Sequence, residues 1–442
     1  MLGQNVAFRL DGDPGFIHDR PAARAALLAE AARNDAVSSG VCLITGKSGP
    51  LARIHPSIRG VAGAQSTGSQ LVSYNLDAFN SYGKVQGSNA PVSECTAFAY
   101  ATALNALLAA SDGTDPQTGR PRYRNRISLG GDTVVFWAES APGEELVKSL
   151  LAPTEQTETV KVPKVLEDIR GRRQPIRTAS DVTDRARVYV LGLSPNAGRL
   201  SVRFWVDTEL GEFTNCLAAH WSDLRLDPAP KCGQPAAWAL LRELSPQRNI
   251  ENVPANLVGD LMRAILTGAP YPASLLTHAI MRLRADHQVT WHRAALIKAV
   301  IIRSTRYRER VAHTEWKDPL VSLDRQEPNA GYRLGRLVAV LAAAQYAAIG
   351  QVNTGVKDAF FRVAFATPSH VFPFLLRRVQ DYVATARRRG WEARAARLDR
   401  ETSEILNKFA DKGPLPAMLS LEDQGRFVIG FYHQDAEFRV PQ

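Results

Sequence analysis

The 442-residue chain carries 45% hydrophobic and 22% charged residues, an ordinary globular balance that suits two or three domains with a sizeable core. Its net charge of +10, with arginine far outnumbering lysine, fits either a GC-rich coding bias or a polyanion partner onto which arginine forks bidentately. No apolar run reaches the roughly 18 residues of a membrane span, and the start MLGQNVAFRLDGD lacks the basic and apolar regions of a secretory leader. The four cysteines Cys42, Cys95, Cys216 and Cys232 form no CxxC pair, which excludes zinc ribbons and redox dithiols by spacing. A reducing, cytoplasmic setting is expected, with Cys42 and Cys95 as small core residues.

In chain order, the first half reads as mixed. Short β-branched or aromatic runs at 5–10, 41–46, 70–75 and 132–138 predict strands. RVYVLGLS (187–194) and RLSVRFWVD (199–207) flank PNAG as a hairpin, with Val202, Phe204 and Val206 on the buried face. Helices are expected near 20–35, 91–110 and 210–226, the second of them opened by Pro91 and capped by Asn89. The charged segment 152–186 reads as a long excursion. Beyond residue 236 the apolar residues recur at spacings of three and four, and helices are expected at 254–268, 274–286, 292–306, 331–351, 354–368, 369–390, 392–410 and 419–434. The fold class is therefore α+β: a mixed N-terminal half with an antiparallel sheet, then an all-α part ending in a bundle of about four or five helices. The expected domains are 1–235, a helical connecting region 236–318, and the bundle 319–442.

Catalytic signatures are scarce. GKS at 46–48 lacks the upstream glycine and following helix of a phosphate-cradling loop, and no GxSxG elbow is present. His287 and His292 are five apart, which does not stack them on one helical face. The HD dipeptide at His18 has no set of companion ligands. Glu139 closes an apolar strand and is read either as an acid or base or as a carboxylate set against a nearby arginine. No metal, cofactor or catalytic residue is assigned, and the rival enzymatic reading is a metal-dependent nuclease built from Glu139, Asp132 and His55.

Features suited to nucleic acid are more numerous. Residues 61–94 are rich in Gln, Ser, Asn, Gly and Tyr, side chains that hydrogen-bond without bulk beside glycines that let a backbone come close. Asn and Gln can read adenine in the major groove or report the pattern of the minor groove, and Tyr74 and Tyr82 can stack on a base. The candidates near duplex are Gln65, Ser66, Asn75, Asn80, Ser81, Tyr82, Lys84, Gln86 and Asn89. A second candidate surface is the series Arg377, Arg378, Arg387, Arg388, Arg389, Arg394, Arg397 and Arg400, which with Lys357 could track a phosphate backbone. Its bland alternative is a solvated helix face paired with Asp381, Glu392 and Asp399. A third reading is a structural subunit whose polar loop packs on a protein neighbour.

The blocks HDRPAA, ITGKSGPLARIHPSIRGVAGAQSTGSQLVSYNLDAFNSYGKVQGSNAPVSE, VVFWAE, NVPANLVGDLMRAILTGAPYP, RAALIKA, NAGYRLGRLVAVL, FATPSHVFPFLLR and LSLEDQGRFVIGFYHQ resemble the large subunit of the type I-C CRISPR surveillance complex, Cascade. They run from near residue 5 to residue 434 in matching order. The resemblance implies a non-enzymatic DNA-binding subunit beside the 5′ end of the CRISPR RNA. Its implied partners are the CRISPR RNA with the backbone, handle-binding and small subunits, the target duplex with its displaced strand, and a recruited helicase-nuclease. It further implies help in recognising the protospacer-adjacent motif and in forming the R-loop, with a C-terminal bundle similar to the Cascade small subunit. Family members usually carry a long segment ahead of the NVAFRLDGD block, whereas this chain starts there, so a shortened α/β part is expected.

Overall fold

The computed structural model describes residues 7–34, 39–114, 119, 121–151, 185–229, 235–312, 320–352, 355–410 and 415–439, apart from a few side chains that include Lys357. The charged excursion read at 152–186 lies outside the described residues up to 184. Two compact units divide the chain, one holding residues up to 60 with 64–106 and 197–200, the other 61–63, 107–196 and everything from 201. The helical content, the small antiparallel sheets of the first half and the all-helical C-terminal part make the fold α+β. Among the described residues no helix is long and apolar enough to cross a membrane.

The first unit contains α1 (Pro21–Asn34), the antiparallel pair β1 (Ser39–Val41) and β2 (Ser48–Pro50), and α2 (Glu94–Ala109). Its small core gathers Cys42, Ala52, Val92 and Ala97, with Tyr100 packed against them. Cys95, expected inside, is exposed, because two residues before Ala97 is about 200° around the helix, on the face opposite the inward stripe of Ala97, Ala101 and Leu104. The expected strands at 5–10, 41–46 and 70–75 do not form among the described residues. β1 stops at Val41, the chain turns with the Gly46 amide donating to the Cys42 carbonyl, and Gln70 makes a single bridge to Arg199. The Cys42 and Leu43 amides donate to the Lys47 and Pro91 carbonyls, each at 2.9 Å, and the Gln70 side chain donates to the His55 carbonyl at 2.9 Å, so turns and isolated contacts take the place of a ladder. α2 also begins later than expected. Ser93 rather than Asn89 stands at its start, its hydroxyl accepting from the Thr96 amide at 3.4 Å.

The second unit opens with the antiparallel pair β3 (Ser111–Thr114) and β4 (Pro121–Tyr123), followed by β5 (Arg126–Leu129) and β6 (Asp132–Ala138). α3 (Ala141–Leu151) packs on β6, and β7 (Arg187–Asn196) and β8 (Arg199–Glu209) complete a sheet of order β5-β6-β7-β8. Register runs Arg126↔Val135 in the first pair and Thr133↔Leu193 to Ala138↔Val188 in the second. The expected hairpin at PNAG forms around Ala197, whose φ is 53°. Phe204 and Val206 are buried as expected, but Val202 is 51% exposed and stands outside the core cluster. Trp137, Tyr189 and Trp205 meet across three strands with ring centroids 5.3 to 5.9 Å apart.

The helices follow as α4 (Leu210–Leu224), α5 (Ala237–Arg242), α6 (Ala255–Thr267), α7 (Ala273–Asp286), α8 (Trp291–Ala312), α9 (Ala330–Ile349), α10 (Val356–Ala366), α11 (Pro368–Arg388), α12 (Glu392–Ala410) and α13 (Leu421–Arg439). α9 is the central member: every residue from Gly331 to Leu341 is buried, and α10, α11, α12 and α13 all pack on it. A helix buried all round normally reads as apolar throughout, yet α9 carries Arg333 and Arg336 inward. Arg336 is fully buried and donates to Gln434 Oε1 at 2.9 Å and to Glu401 Oε2 at 3.2 Å. Glu401 also takes a bidentate pair from Arg325 at 2.6 and 2.7 Å. Arg333 reaches the carbonyls of Glu327 and Lys408, both at 2.8 Å. These bonds satisfy charges whose isolation in the core would cost several kcal/mol.

Glycines set the spacing of α9 and α13. A Cβ at Gly331 would lie 2.2 Å from the Asp423 carbonyl oxygen, at Gly335 1.9 Å from that of Phe427, and at Gly430 2.1 Å from that of Tyr332. Backbone thus meets backbone, and any side chain at these positions must push the helices apart. Gly335→Ala is expected to destabilise the second unit by about 1–3 kcal/mol or more, read as a lowered urea midpoint. Gly131→Ala, whose Cβ would meet nothing within 4 Å, should leave that midpoint within about 0.5 kcal/mol.

Candidate nucleic-acid interface

Within the first unit, residues 80–89 form two linked turns. Ser81 and Lys84 pair as an antiparallel bridge, the Lys84 amide donating to the Ser81 carbonyl at 2.9 Å. Tyr82 and Gly83 between them have φ of 52° and 72°, the signs of a type I′ hairpin turn. Glycine adopts this backbone freely, whereas a tyrosine must be held there by its surroundings. The turn lifts Tyr82 to 99% exposure, and Lys84 and Val85 are exposed beside it.

The bracing comes from the next turn, a short 3-10 helix over Gln86–Asn89. Gly87 packs with its α-carbon face against backbone, since a Cβ there would sit 2.0 Å from the Ala52 carbonyl oxygen, and its amide donates to the Arg53 carbonyl at 3.0 Å. The Asn89 amide nitrogen donates to the carbonyls of Lys84 and Gln86 at 3.1 and 3.0 Å, while its oxygen accepts from the Ser81 amide at 3.2 Å. Ser88 accepts from the Val85 amide at 3.0 Å. One asparagine therefore ties both ends of the hairpin to the turn that follows it.

The other polar candidates of this stretch divide between support and surface. Asn75 gives its oxygen to Arg199 at 2.6 Å, and that guanidinium lies 4.1 Å from the centre of the Phe79 ring, fixing residues 75–79. Gln65, Ser66, Asn80 and Ser81 are exposed, and Tyr74 and Gln86 are half-buried. Arg199 carries no local sequence signal for this role, because its contacts are made 124 positions away in the chain.

In the second unit, Arg377, Arg378, Arg387, Arg388 and Arg389 are exposed along α11 and just past its end. Arg387 is shared between Asp399 at 3.2 Å and Glu392 at 3.6 Å, Arg388 bonds the Thr385 hydroxyl at 3.2 Å, and Arg378 lies 4.8 Å over the Phe374 ring. Arg397 and Arg394 turn toward the bundle: Arg397 bonds Glu437 at 3.3 Å and covers Phe438, and Arg394 lies over Tyr346. The basic surface is consequently narrower than the arginine series suggests and is centred on the end of α11. Lys357 lies in α10, its side chain outside the described residues.

The nuclease reading does not assemble. Asp132 and Glu139 stand at opposite ends of β6, roughly 23 Å apart along an extended strand. Burial pushes the Asp132 carboxyl up from its ordinary range. Glu139 accepts from the Arg187 amide at 3.3 Å, closing the strand end. Among the described residues, no three His, Cys, Asp or Glu side chains gather as a metal group would require.

An α+β chain with a stiffly braced polar loop and an arginine-faced helical bundle falls, by comparison with protein families, among the CRISPR-associated proteins: the family model for the CRISPR-associated protein Cas_Csd1 matches residues 1–439. The chain belongs to the Cas_Csd1 family, whose members are Cascade subunits, and membership implies partnership with CRISPR RNA and other Cas proteins. No curated protein matches it.

The bracing by Asn89 makes a specific prediction. Asn89→Ala is expected to speed hydrogen exchange at the Ser81 amide and to cost about 1–2 kcal/mol locally, with helix content by circular dichroism unchanged.

Proposed function

We propose that this chain is the DNA-interrogating large subunit of a type I-C Cascade and carries no catalytic step of its own. The observation that carries this reading is the 80–89 loop: its polar side chains are spent on bracing the backbone, and the braced backbone holds out Tyr82 and Lys84, both exposed among the described residues. Rigid presentation avoids the ordering cost that a flexible loop meets on binding. In this reading Lys84 meets a phosphate or the floor of the minor groove, Tyr82 stacks or wedges at a base step, and Gln65, Ser66, Asn80 and Ser81 supply further hydrogen bonds near the protospacer-adjacent motif. Asn75, Gln86 and Asn89 support that surface from behind.

The arginines at the end of α11, with Lys357, hold the displaced strand, which carries only backbone charge in common from one target to the next. The same bundle offers a platform for the recruited helicase-nuclease, with 1–235, 236–318 and 319–442 as the functional divisions of the chain.

Two measurements test the reading. Lys84→Ala in the assembled complex should weaken capture of target duplex by about tenfold at low salt while leaving assembly intact by size-exclusion chromatography; equal affinity in salt-matched titrations would remove Lys84 from the interface. Neutralising Arg387, Arg388 and Arg389 to Gln together should reduce the slope of log affinity against log salt by roughly 0.7 for each residue that contacts single strand. An unchanged slope would mean that this face is merely solvated.

A further inference from the structure

In the second unit, α11 and α12 meet at a tight junction. α11 ends on Gly390, whose φ is 83°. The Gly390 amide donates to the Arg387 carbonyl at 2.9 Å and the Trp391 amide to that of Ala386 at 3.1 Å, the paired bonds of a Schellman stop. The Trp391 carbonyl then accepts from the Ala395 amide at 2.9 Å, the first bond of α12. Backbone bonds on both sides therefore fix residue 391, which closes one helix and opens the next.

Neither task calls for tryptophan. The residue just past such a stop often rests an apolar side chain on the helix it ends, but its counterpart here, Ala386, is small and fully buried. The opening position of a helix favours short side chains that accept from the first amides, and an indole N–H only donates. Trp391 is 54% exposed. Among the described residues no other ring and no cation lies over it, and its indole N–H has no hydrogen-bond partner. Arg394, one turn further along α12, lies 5.6 Å over the Tyr346 ring instead. Arg387 takes both nearby carboxylates, Glu392 at 3.6 Å and Asp399 at 3.2 Å. Arg388 and Arg389 are exposed and have no carboxylate partner among the described residues.

We propose that Trp391 is a stacking platform for one unpaired base of the displaced strand, whose neighbouring phosphates meet the arginines at the end of α11. The combination selects this ligand. A cationic rim draws a polyanion, and an exposed indole adds affinity only for a base that is free to lie on it. In duplex each base is already stacked on its neighbours, so double-stranded DNA would engage the arginines and leave the indole in water. A protein pocket that buried the indole would also have to strip water from Arg388 and Arg389, at a heavy desolvation cost. Because backbone bonds hold residue 391 from both sides, an arriving base meets a residue whose place is already set. The inference rests on the reading that the displaced strand lies along the end of α11. It adds that this surface distinguishes single strand from duplex, and does so for any sequence, since every base has a π face.

The test uses the assembled complex, with a guide that holds no run of adenines, and two probes of equal length and charge, an oligothymidylate and its abasic counterpart. The unsubstituted complex should bind the oligothymidylate about tenfold more tightly than the abasic strand. Trp391→Leu, which keeps apolar bulk and loses the π face, should bring the two affinities together, and Trp391→Phe should keep part of the difference. Both variants should assemble normally by size-exclusion chromatography and leave the slope of log affinity against log salt unchanged, because that slope belongs to the arginines. No preference for bases in the unsubstituted complex, or a preference that survives Trp391→Leu in full, would overturn the platform and leave the strand reading standing. Equal affinities in the Phe and Leu variants would mean an apolar contact rather than a stack, and would overturn it too. A salt slope left unchanged when Arg387, Arg388 and Arg389 become Gln, or no binding of either probe, would remove the strand from this face and the platform with it.

Discussion

The contact of α9 with α13 is the constraint around which the larger unit is organised. Gly331, Gly335 and Gly430 let two helices approach until backbone touches backbone. At that separation neither helix can project a side chain of ordinary size between them, so the groups at the margins must fit closely. Asn329 shows how: its oxygen caps α9 at the Tyr332 amide, and its nitrogen donates to Asp423 on α13 at 2.7 Å. Tyr332 then reaches across α13 to His433 Nδ1 at 2.8 Å, and burial lowers that imidazole's pKa to about 4, which keeps it neutral in the core. Arg336 and its partners Glu401 and Gln434 carry the same register to α12 and α13. Because buried polar pairs tolerate little displacement, the notch and the network together fix where α11 and α12 lie, and with them where the exposed arginines stand.

The first unit solves a different problem. Its core is small, and long stretches of it make no strand or helix, so hydrophobic burial alone gives little rigidity. Hydrogen bonds from short polar side chains supply the order instead. Asn89 ties Ser81, Lys84 and Gln86 together, and Arg199 joins Asn75 to Phe79. The residue types that suit base and groove recognition are the ones that can also brace an irregular backbone. The loop uses both capacities, one set of side chains turned inward and another left in solvent.

This dual use explains why some expectations failed. Runs such as 41–46 and 70–75 have strand-like composition, but strands need a partner ladder, and here backbone turn contacts, the Gln70 side chain and single bridges take its place. Asn89 has the composition of a helix cap, and a cap is decided by which amide its side chain meets. Ser93 took that place because the turn at Gln86–Asn89 intervenes. The arginine series reads as one basic face from spacing alone. Arg397 and Arg394 leave it because Glu437, Phe438 and Tyr346 come within reach only after α9, α12 and α13 have packed.

By itself the sequence determined the α+β class, nearly every helix after residue 236, the 187–207 hairpin and the family, because periodicity, turn residues and ordered blocks are local properties of the chain. It also marked the glycines of NAGYRLG and RFVIGF as part of those blocks, without saying what they do. Only the tertiary structure decided that these glycines are the contact of two helices, that Arg336 is buried rather than basic surface, and that Asn89 braces a hairpin instead of capping a helix. Each of those facts depends on atoms brought together from positions far apart in the chain, where burial and partner geometry, rather than residue type, set the role.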